Sequence, residues 1–236
     1  YGGLLSAGEK EVVTICRNAW AGSQRYGACP APHDILSSFE HMEQYMKAGL
    51  NVMMSGIPWW NCDIGGFVTF DSTTQNFQEL MVRWYQYGVF LPVFRTHGYR
   101  KNNEPWNIGG DTYRHIRACL FLRENLRPYL MEQMKLASAK GLPPMRPVFF
   151  DFPNDPKAAE VEDQFLFGPD RRCARPRLFL TALMRRSLPC KPRHPITSAI
   201  WGGSSRVREL ARRSARHSAG TSSGWSRSSH WCWARG

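Results

Sequence analysis

Side chains that could do chemistry collect in the segments that follow short apolar runs of this 236-residue sequence. Arg17 follows the first run and Asp34 lies 17 residues later, Asp63 follows the second run, and Arg95 and His97 end the third. Carboxylates, an arginine, a histidine and several aromatic rings are typical of a sugar site. Aromatic faces pack on pyranose rings, and charged groups bind hydroxyls with paired hydrogen bonds.

Two carboxylates that flank a glycosidic bond can act as acid and nucleophile. From the residues alone we pair Asp34 with Asp63. Other roles remain open at this point. A loop aspartate often caps a helix or closes a turn, the tryptophan beside Pro58 can serve in packing, and an arginine can pair with a neighbouring acid.

The elements that must position these residues alternate between strands and helices. The apolar patterns predict strands at residues 12–16, 51–55, 90–94 and 145–150. Helices are predicted at residues 39–50, 77–87 and 113–139, the first ending at Gly49 and the last interrupted or kinked at Pro128. Such alternation indicates an α/β fold with a parallel sheet. Four strands with their helices amount to the C-terminal half of a (β/α)8 TIM-type barrel, which takes about 250 residues in full.

Five ordered segments resemble signatures of glycoside hydrolase family 31. They are RNAWAGSQRYG at residues 17–27, GIPWWNCDIGGF at 56–67, FRTHG at 94–98, MRPVFFDF at 145–152 and DQFLFGPD at 163–170. The resemblance covers about residues 10 to 170. It implies an α-glucosidase or α-xylosidase, built on a β/α barrel flanked by β-sandwich domains, that retains the anomeric configuration by means of two aspartates.

The resemblance also implies a role for each matched residue. Arg17 matches the arginine that binds the sugar in the cleavage subsite, and Asp34 falls where the family has its general acid/base. Asp63 matches an aspartate that binds sugar hydroxyls, which replaces our pairing of Asp34 with Asp63. His97 matches a hydroxyl-binding histidine, and Arg95 is expected to support that loop. Trp60 and Phe67 fit the family's aromatic wall.

Two departures from the family pattern stand out. Ala31 occupies the position of the tryptophan that usually precedes the acid/base. The nucleophile of the family lies on an earlier barrel strand, so no residue of this chain is assigned that role. We therefore expect the chain, which begins at Tyr1, to be a fragment of a longer enzyme.

The composition changes abruptly after residue 170. Residues 171–236 hold 15 basic side chains and one acidic side chain, whereas the first 170 residues carry a net charge of −2. The segment lacks Asp, Asn, Gln and Tyr. We divide the chain into a half-barrel at residues 1–170 and a basic tail at residues 171–236, which we predict to be disordered or the product of an out-of-frame reading. The alternative is a non-catalytic fragment whose Arg, Ser and Trp side chains bind nucleic acid.

The remaining expectations concern compartment and partners. Seven cysteines without a C-x-x-C pair disfavour a zinc ribbon or a secreted disulfide framework, and free thiols favour the cytoplasm. No apolar run approaches the roughly 18 residues of a membrane span. The expected partner is a carbohydrate, an α-linked glucoside or xyloside, with no nucleic acid, no membrane, and no metal or organic cofactor.

Overall fold

The computed structural model describes residues 1–101, 103–162 and 164–169 and, for the backbone alone, residues 171–174. All of these residues belong to one unit of the chain, residues 1–193. The predictions made for the tail beyond residue 174 lie outside the described residues.

Helices dominate the described part of the chain. The α-helices are α1 Gly2–Ser6, α2 Phe39–Met54, α3 Gln75–Gly88, α4 Gly110–Lys140, α5 Val148–Asp151 and α6 Pro156–Ala159. Two short 3-10 turns lie at Ser23–Tyr26 and Pro105–Asn107. The strands are β1 Thr14–Cys16, β2 Ala28–Pro30, β3 Met145–Pro147, β4 Gln164–Phe167 and β5 Arg171–Ala174. None of the helices within these described ranges combines the length and apolarity of a membrane span.

Helix α2 is longer than the sequence pattern predicts. The side chain of Ser38 caps its first turn by accepting a hydrogen bond from the backbone N–H of His41. The predicted stop at Gly49 is wrong, because the helix continues to residue 54. A Cβ at Gly49 would lie 2.5 Å from the indole Nε1 of Trp60, so this glycine permits close packing. The predicted strand at residues 51–55 is also wrong, since Met53 continues the buried face of the helix.

Helix α3 spans the predicted helix at residues 77–87 with two residues added before it and one after it. The strand predicted at residues 90–94 is wrong, because most of that segment forms a turn and bends. Arg123 of α4 donates to the carbonyl oxygens of Val89, Leu91 and Pro92 at 2.7, 2.5 and 3.0 Å. These carbonyls therefore bond to a side chain instead of a neighbouring strand.

Four parallel segments form the wall that carries the predicted site. Strands β1 and β2 pair in parallel, with Ile15 opposite Cys29. The backbone N–H of Asn61 then bonds to the carbonyl of Pro30, and parallel bridges join Ile64 to Thr96. The wall thus runs from β1 through β2 and residues 61–68 to residues 94–99. The predicted parallel arrangement of an α/β barrel is observed, but β2 and the parallel segments at residues 61–68 and 94–99 were not predicted.

The described chain ends in a different kind of sheet. Helix α4 continues through Pro128, so the interruption considered there is not found. Strands β3, β4 and β5 pair antiparallel, and the prediction that β3 is a fourth parallel strand is therefore wrong. Phe165 and Phe167 of β4 pack edge-on against Phe90, at 5.7 and 5.2 Å between ring centroids, and attach this sheet to the body. Strand β5 continues regular structure four residues past residue 170.

Candidate active site

Arg17 and Asp34 meet at one end of the wall. Arg17 follows β1 directly and Asp34 lies four residues after β2. Because the two strands are parallel neighbours, their carboxyl ends lie side by side. Arg17 Nη2 donates to Asp34 Oδ1 at 2.6 Å, and its Nη1 lies 3.4 Å from Nδ1 of His33. The side chains of Arg17 and Asp34 are 54% and 41% exposed, so both are open to a ligand.

Asp63 lies on the next segment of the wall and is held by a buried network. Arg95 Nη2 donates to Asp63 Oδ1 at 2.5 Å, and Asp63 is only 5% exposed. Asn61 Oδ1 accepts from Arg95 Nε at 3.1 Å and from Nη2 at 3.0 Å. The amide of Asn61 in turn donates to the carbonyl of Pro30 at 3.2 Å. Within the described residues Asp63 Oδ2 accepts no hydrogen bond, which leaves an oxygen suited to bind a hydroxyl.

Phe67 and His97 form an aromatic pair beside this network. Their ring centroids are 5.4 Å apart with planes 47° to each other. Backbone hydrogen bonds fix the position of Phe67 between its neighbours, from its N–H to the carbonyl of Ile35 at 2.9 Å and from the N–H of Tyr99 to its carbonyl at 2.7 Å. Phe67 is half-buried and His97 is exposed. The apolar ring face of Phe67 and the imidazole of His97 thus lie side by side, where one ligand could contact both.

Trp60 is more buried than every other predicted site residue except Asp63. It is 5% exposed and stacks on Tyr45, with ring centroids 6.5 Å apart. It also contributes to the wall of a cavity of about 410 Å³ beside Arg17. That cavity is lined by Arg17, Asn18, Ala19, Trp20, Pro30, Val52, Ile57 and Trp60. Most of the ring therefore serves the core, and its predicted role in an aromatic wall stays a prediction.

Three residues that sequence reasoning missed hold the loop after Asp63. Arg100 donates to the carbonyls of Ile64 and Gly66 within that loop. Asn61 orients Arg95, and Ser37 Oγ donates to the carbonyl of Gly65 at 2.6 Å. Asn61 could have been found by its place two residues before Asp63 in an extended segment. The other two had no signal, because their partners are backbone carbonyls.

The loop from Asp63 to Phe67 depends on two glycines in the left-handed region. Gly66 has φ +78°, and a Cβ there would lie 2.8 Å from the Cα of Ser37. We expect Gly66→Ala in the full-length protein to lower the free energy of unfolding by about 2–4 kcal/mol, since a left-handed alanine costs about 1–2 kcal/mol and the clash adds to it. Urea denaturation measures this change.

Gly56 is the matched control for Gly66. Its φ is +83°, but a Cβ there would meet no atom within 4 Å. Gly56→Ala should therefore cost only the conformational part, about 1–2 kcal/mol. Equal losses for the two variants would contradict the close contact between Gly66 and Ser37.

The thiols near the site are packing groups. Burial raises the pKa of Cys62 to about 12, and its sulfur accepts from Trp84 Nε1 at 3.2 Å. Burial also raises the pKa of Cys29. Thiols that stay protonated at neutral pH are poor nucleophiles and poor metal ligands. Within the ranges that the structure describes, no group of three or more His, Cys, Asp or Glu side chains could hold a metal ion.

Family models match most of the described chain. The model of the "Glycosyl hydrolases family 31 TIM-barrel domain" matches residues 2–133, and that of the "Glycosyl hydrolase family 31 C-terminal domain" matches residues 141–170. The second match begins within the segment that we assigned to the barrel. The start of this second match lies just before β3, where the pairing changes from parallel to antiparallel.

Curated proteins and solved structures point the same way. An α-xylosidase of Saccharolobus solfataricus is 34% identical over 169 residues, which are 72% of this chain and 23% of that protein. The crystal structure of a family 31 α-xylosidase from a soil metagenome, complexed with xylose, is 47% identical, with a TM-score of 0.68 over 72% of this chain and 28% of that one. A family 31 dextranase of Flavobacterium johnsoniae, complexed with glucose, is 32% identical, with a TM-score of 0.65 over 71% of this chain and 21% of that one. This chain thus spans about a fifth to a quarter of the relatives' length. With its parallel wall and matched segments, the chain belongs to glycoside hydrolase family 31.

Proposed function

We propose that the full-length protein carrying this chain is a retaining α-glycosidase that hydrolyses α-linked xylosides or glucosides. The observation that carries the proposal is the convergence of three side-chain groups on adjacent parallel segments. These groups are Arg17 with Asp34, Asp63 with Arg95, and Phe67 with His97. The 47% identity to an α-xylosidase supports the xyloside, and the 48% identity over 101 residues to a family 31 glucosidase of Pseudescherichia vulneris supports the glucoside.

Asp34 is the general acid/base in this proposal. As the protonated acid it gives a proton to the leaving oxygen while an aspartate outside this chain attacks the anomeric carbon. As the carboxylate it then takes a proton from the water that releases the sugar. The side chain of Asp34 is exposed and can therefore reach the leaving group, and its ion pair with Arg17 orients the carboxylate.

Asp63 and the Phe67–His97 pair bind the sugar. The free oxygen of Asp63 accepts from a sugar hydroxyl, and the hydrogen bonds from Arg95 hold the carboxylate in a fixed orientation. Phe67 offers a ring face to the C–H surface of the pyranose, while His97 bonds to a further hydroxyl. No organic cofactor takes part in this chemistry.

Turnover and stereochemistry test the proposal directly. The full-length enzyme is incubated with 4-nitrophenyl α-xyloside and α-glucoside, and proton NMR follows the first sugar released. We expect 4-nitrophenol release and the α-anomer as the first product. Absence of turnover on both substrates, or first release of the β-anomer, would refute it.

The chain of residues 1–236 by itself should show no such turnover. The proposed mechanism needs a second carboxylate about 5–5.5 Å from the acid, and we assign that nucleophile to a strand outside this chain. Apolar side chains in β1 and just before it are exposed to solvent, since Ile15 is 50% and Val13 59% exposed. The assay is 4-nitrophenol release by the purified chain, with the full-length enzyme in parallel. Release of 4-nitrophenol above background by the purified chain would show that the chain holds its own nucleophile.

A further inference from the structure

Arg100 joins the two loops that carry the sugar-binding residues. Its Nη1 donates to the carbonyl of Gly66 at 2.7 Å, and its Nη2 donates to the carbonyls of Ile64 at 3.0 Å and His97 at 3.3 Å. Ile64 and Gly66 lie one and three residues after Asp63. One guanidinium therefore binds the backbone next to Asp63 and the backbone of His97 together.

The surroundings of Arg100 leave little freedom. Its guanidinium carbon lies 5.6 Å from the ring centroid of Phe77, at the start of α3. A Cβ at Gly98 would overlap the guanidinium, so the adjoining turn accepts only glycine at that position. Asn103 Nδ2 donates to the carbonyls of Gly98 and Arg100 at 2.9 and 3.4 Å and closes this turn.

Only the planar fork of arginine fits this arrangement. The two terminal nitrogens point to carbonyls on separate segments, whereas a lysine ammonium is a single point that cannot span them with the same geometry. The hydrogen bond to the carboxylate of Asp63 itself comes from Arg95. Arg95 thus binds the side chain of Asp63, whereas Arg100 binds the backbone of the loop that follows it.

We propose that Arg100 is a positioning residue that sets the distance between Asp63 and His97 and thereby the affinity for the sugar. The proposal rests on the proposed glycosidase function for its kinetic readout. Loss of Arg100 would leave the Asp63 loop and the His97 loop joined by the backbone hydrogen bonds, the Arg95–Asp63 ion pair and the Phe67–His97 ring contact. A displacement of about 1 Å in such a site can lower turnover by about 10²-fold.

Arg123 provides a matched control. It too binds three backbone carbonyls, those of Val89, Leu91 and Pro92, and it too lies 5.6 Å from a phenylalanine ring, that of Phe94. Its carbonyl partners lie at residues 89–92, before the wall segment of residues 94–99, and none of them belongs to the loop of residues 63–67. Arg123→Gln should therefore cost stability as Arg100→Gln does, without the same effect on sugar binding.

The experiment compares Arg100→Gln with Arg123→Gln in the full-length enzyme. It measures kcat and KM on 4-nitrophenyl α-xyloside, the dissociation constant of free xylose by calorimetry, and Tm, all well below the lower Tm. We expect Arg100→Gln to lower kcat/KM by about 10²-fold and to weaken xylose binding by about tenfold. For Arg123→Gln, both kcat/KM and xylose affinity should stay within about threefold of the wild-type values. Arg100→Lys should recover only part of the loss.

Each result bears on the proposal. If Arg100→Gln loses no more kcat/KM and no more xylose affinity than Arg123→Gln, Arg100 is merely structural and the proposal is overturned. If Arg100→Gln does not fold, Arg100→Lys and Arg123→Lys decide by the same comparison. A wild-type enzyme without turnover would refute the proposed function, and the xylose-binding comparison would still decide the role of Arg100.

Discussion

Asp34→Asn in the full-length enzyme should lower kcat/KM by about 10³-fold for substrates with sugar or alkyl leaving groups, and by less than about tenfold for activated aryl α-xylosides. An amide cannot give a proton to the leaving oxygen, and only poor leaving groups need that proton to depart. The asparagine can still accept a hydrogen bond from Arg17, so the positions of the two side chains should not change. Steady-state kinetics on a series of leaving groups of increasing pKa measures the difference.

Asp111→Asn is the control for this substitution. Asp111 also forms an exposed ion pair with an arginine, Arg114, at 3.4 Å, but it lies in the first turn of α4. Its loss should leave kcat within about twofold for every leaving group, as for surface pairs of small energetic value. A uniform loss across leaving groups with Asp34→Asn would show that Asp34 is structural and not the acid.

The alternation of apolar strand and helix patterns in the sequence predicted the class of fold, but it did not predict the positions of the strands. The apolar run at residues 51–54 fits a strand or a buried helical turn equally well, and only the packing of Met53 in the core decides between them. The strand at Met145–Pro147 was expected, but its partner was not. Its antiparallel pairing depends on β4, which lies nearly 20 residues further along the chain, and no local pattern specifies such a partner.

The sequence suggested the candidate site residues but not the residues that support them. Arg17 and Asp34 follow β1 and β2, Asp63 and His97 lie in the adjacent parallel segments, and reactive residues of a barrel collect at the carboxyl ends of its strands. Their side chains also match family segments, which suggested a role for each. Arg100 and Ser37 escaped prediction because they bind carbonyl oxygens, and every residue has one. The depth of Trp60 depends on its stacking with Tyr45, a contact between distant residues.

Asp63→Asn should lower kcat/KM by about 10³-fold, with a raised KM contributing to the loss. Because Asp63 is proposed to bind hydroxyls in both the ground state and the transition state, its removal weakens both complexes. An asparagine keeps the size of the side chain. It lacks the second acceptor oxygen of the carboxylate, and it lacks the negative charge that pairs with Arg95. KM, kcat and the dissociation constant of xylose in the full-length enzyme measure the effect.

Stability loss must be separated from lost binding in this variant, because Asp63→Asn also leaves the partly buried Arg95 without its counter-ion. Asp151→Asn serves as the control. It removes the carboxylate from another buried arginine, Arg146, at 3.0 Å, next to the antiparallel sheet and away from the wall. Both variants should unfold at lower urea concentration, but only Asp63→Asn should raise KM. Labelling of Asp63 by a mechanism-based inhibitor would instead make it the nucleophile, since only the residue that attacks the anomeric carbon forms that covalent bond.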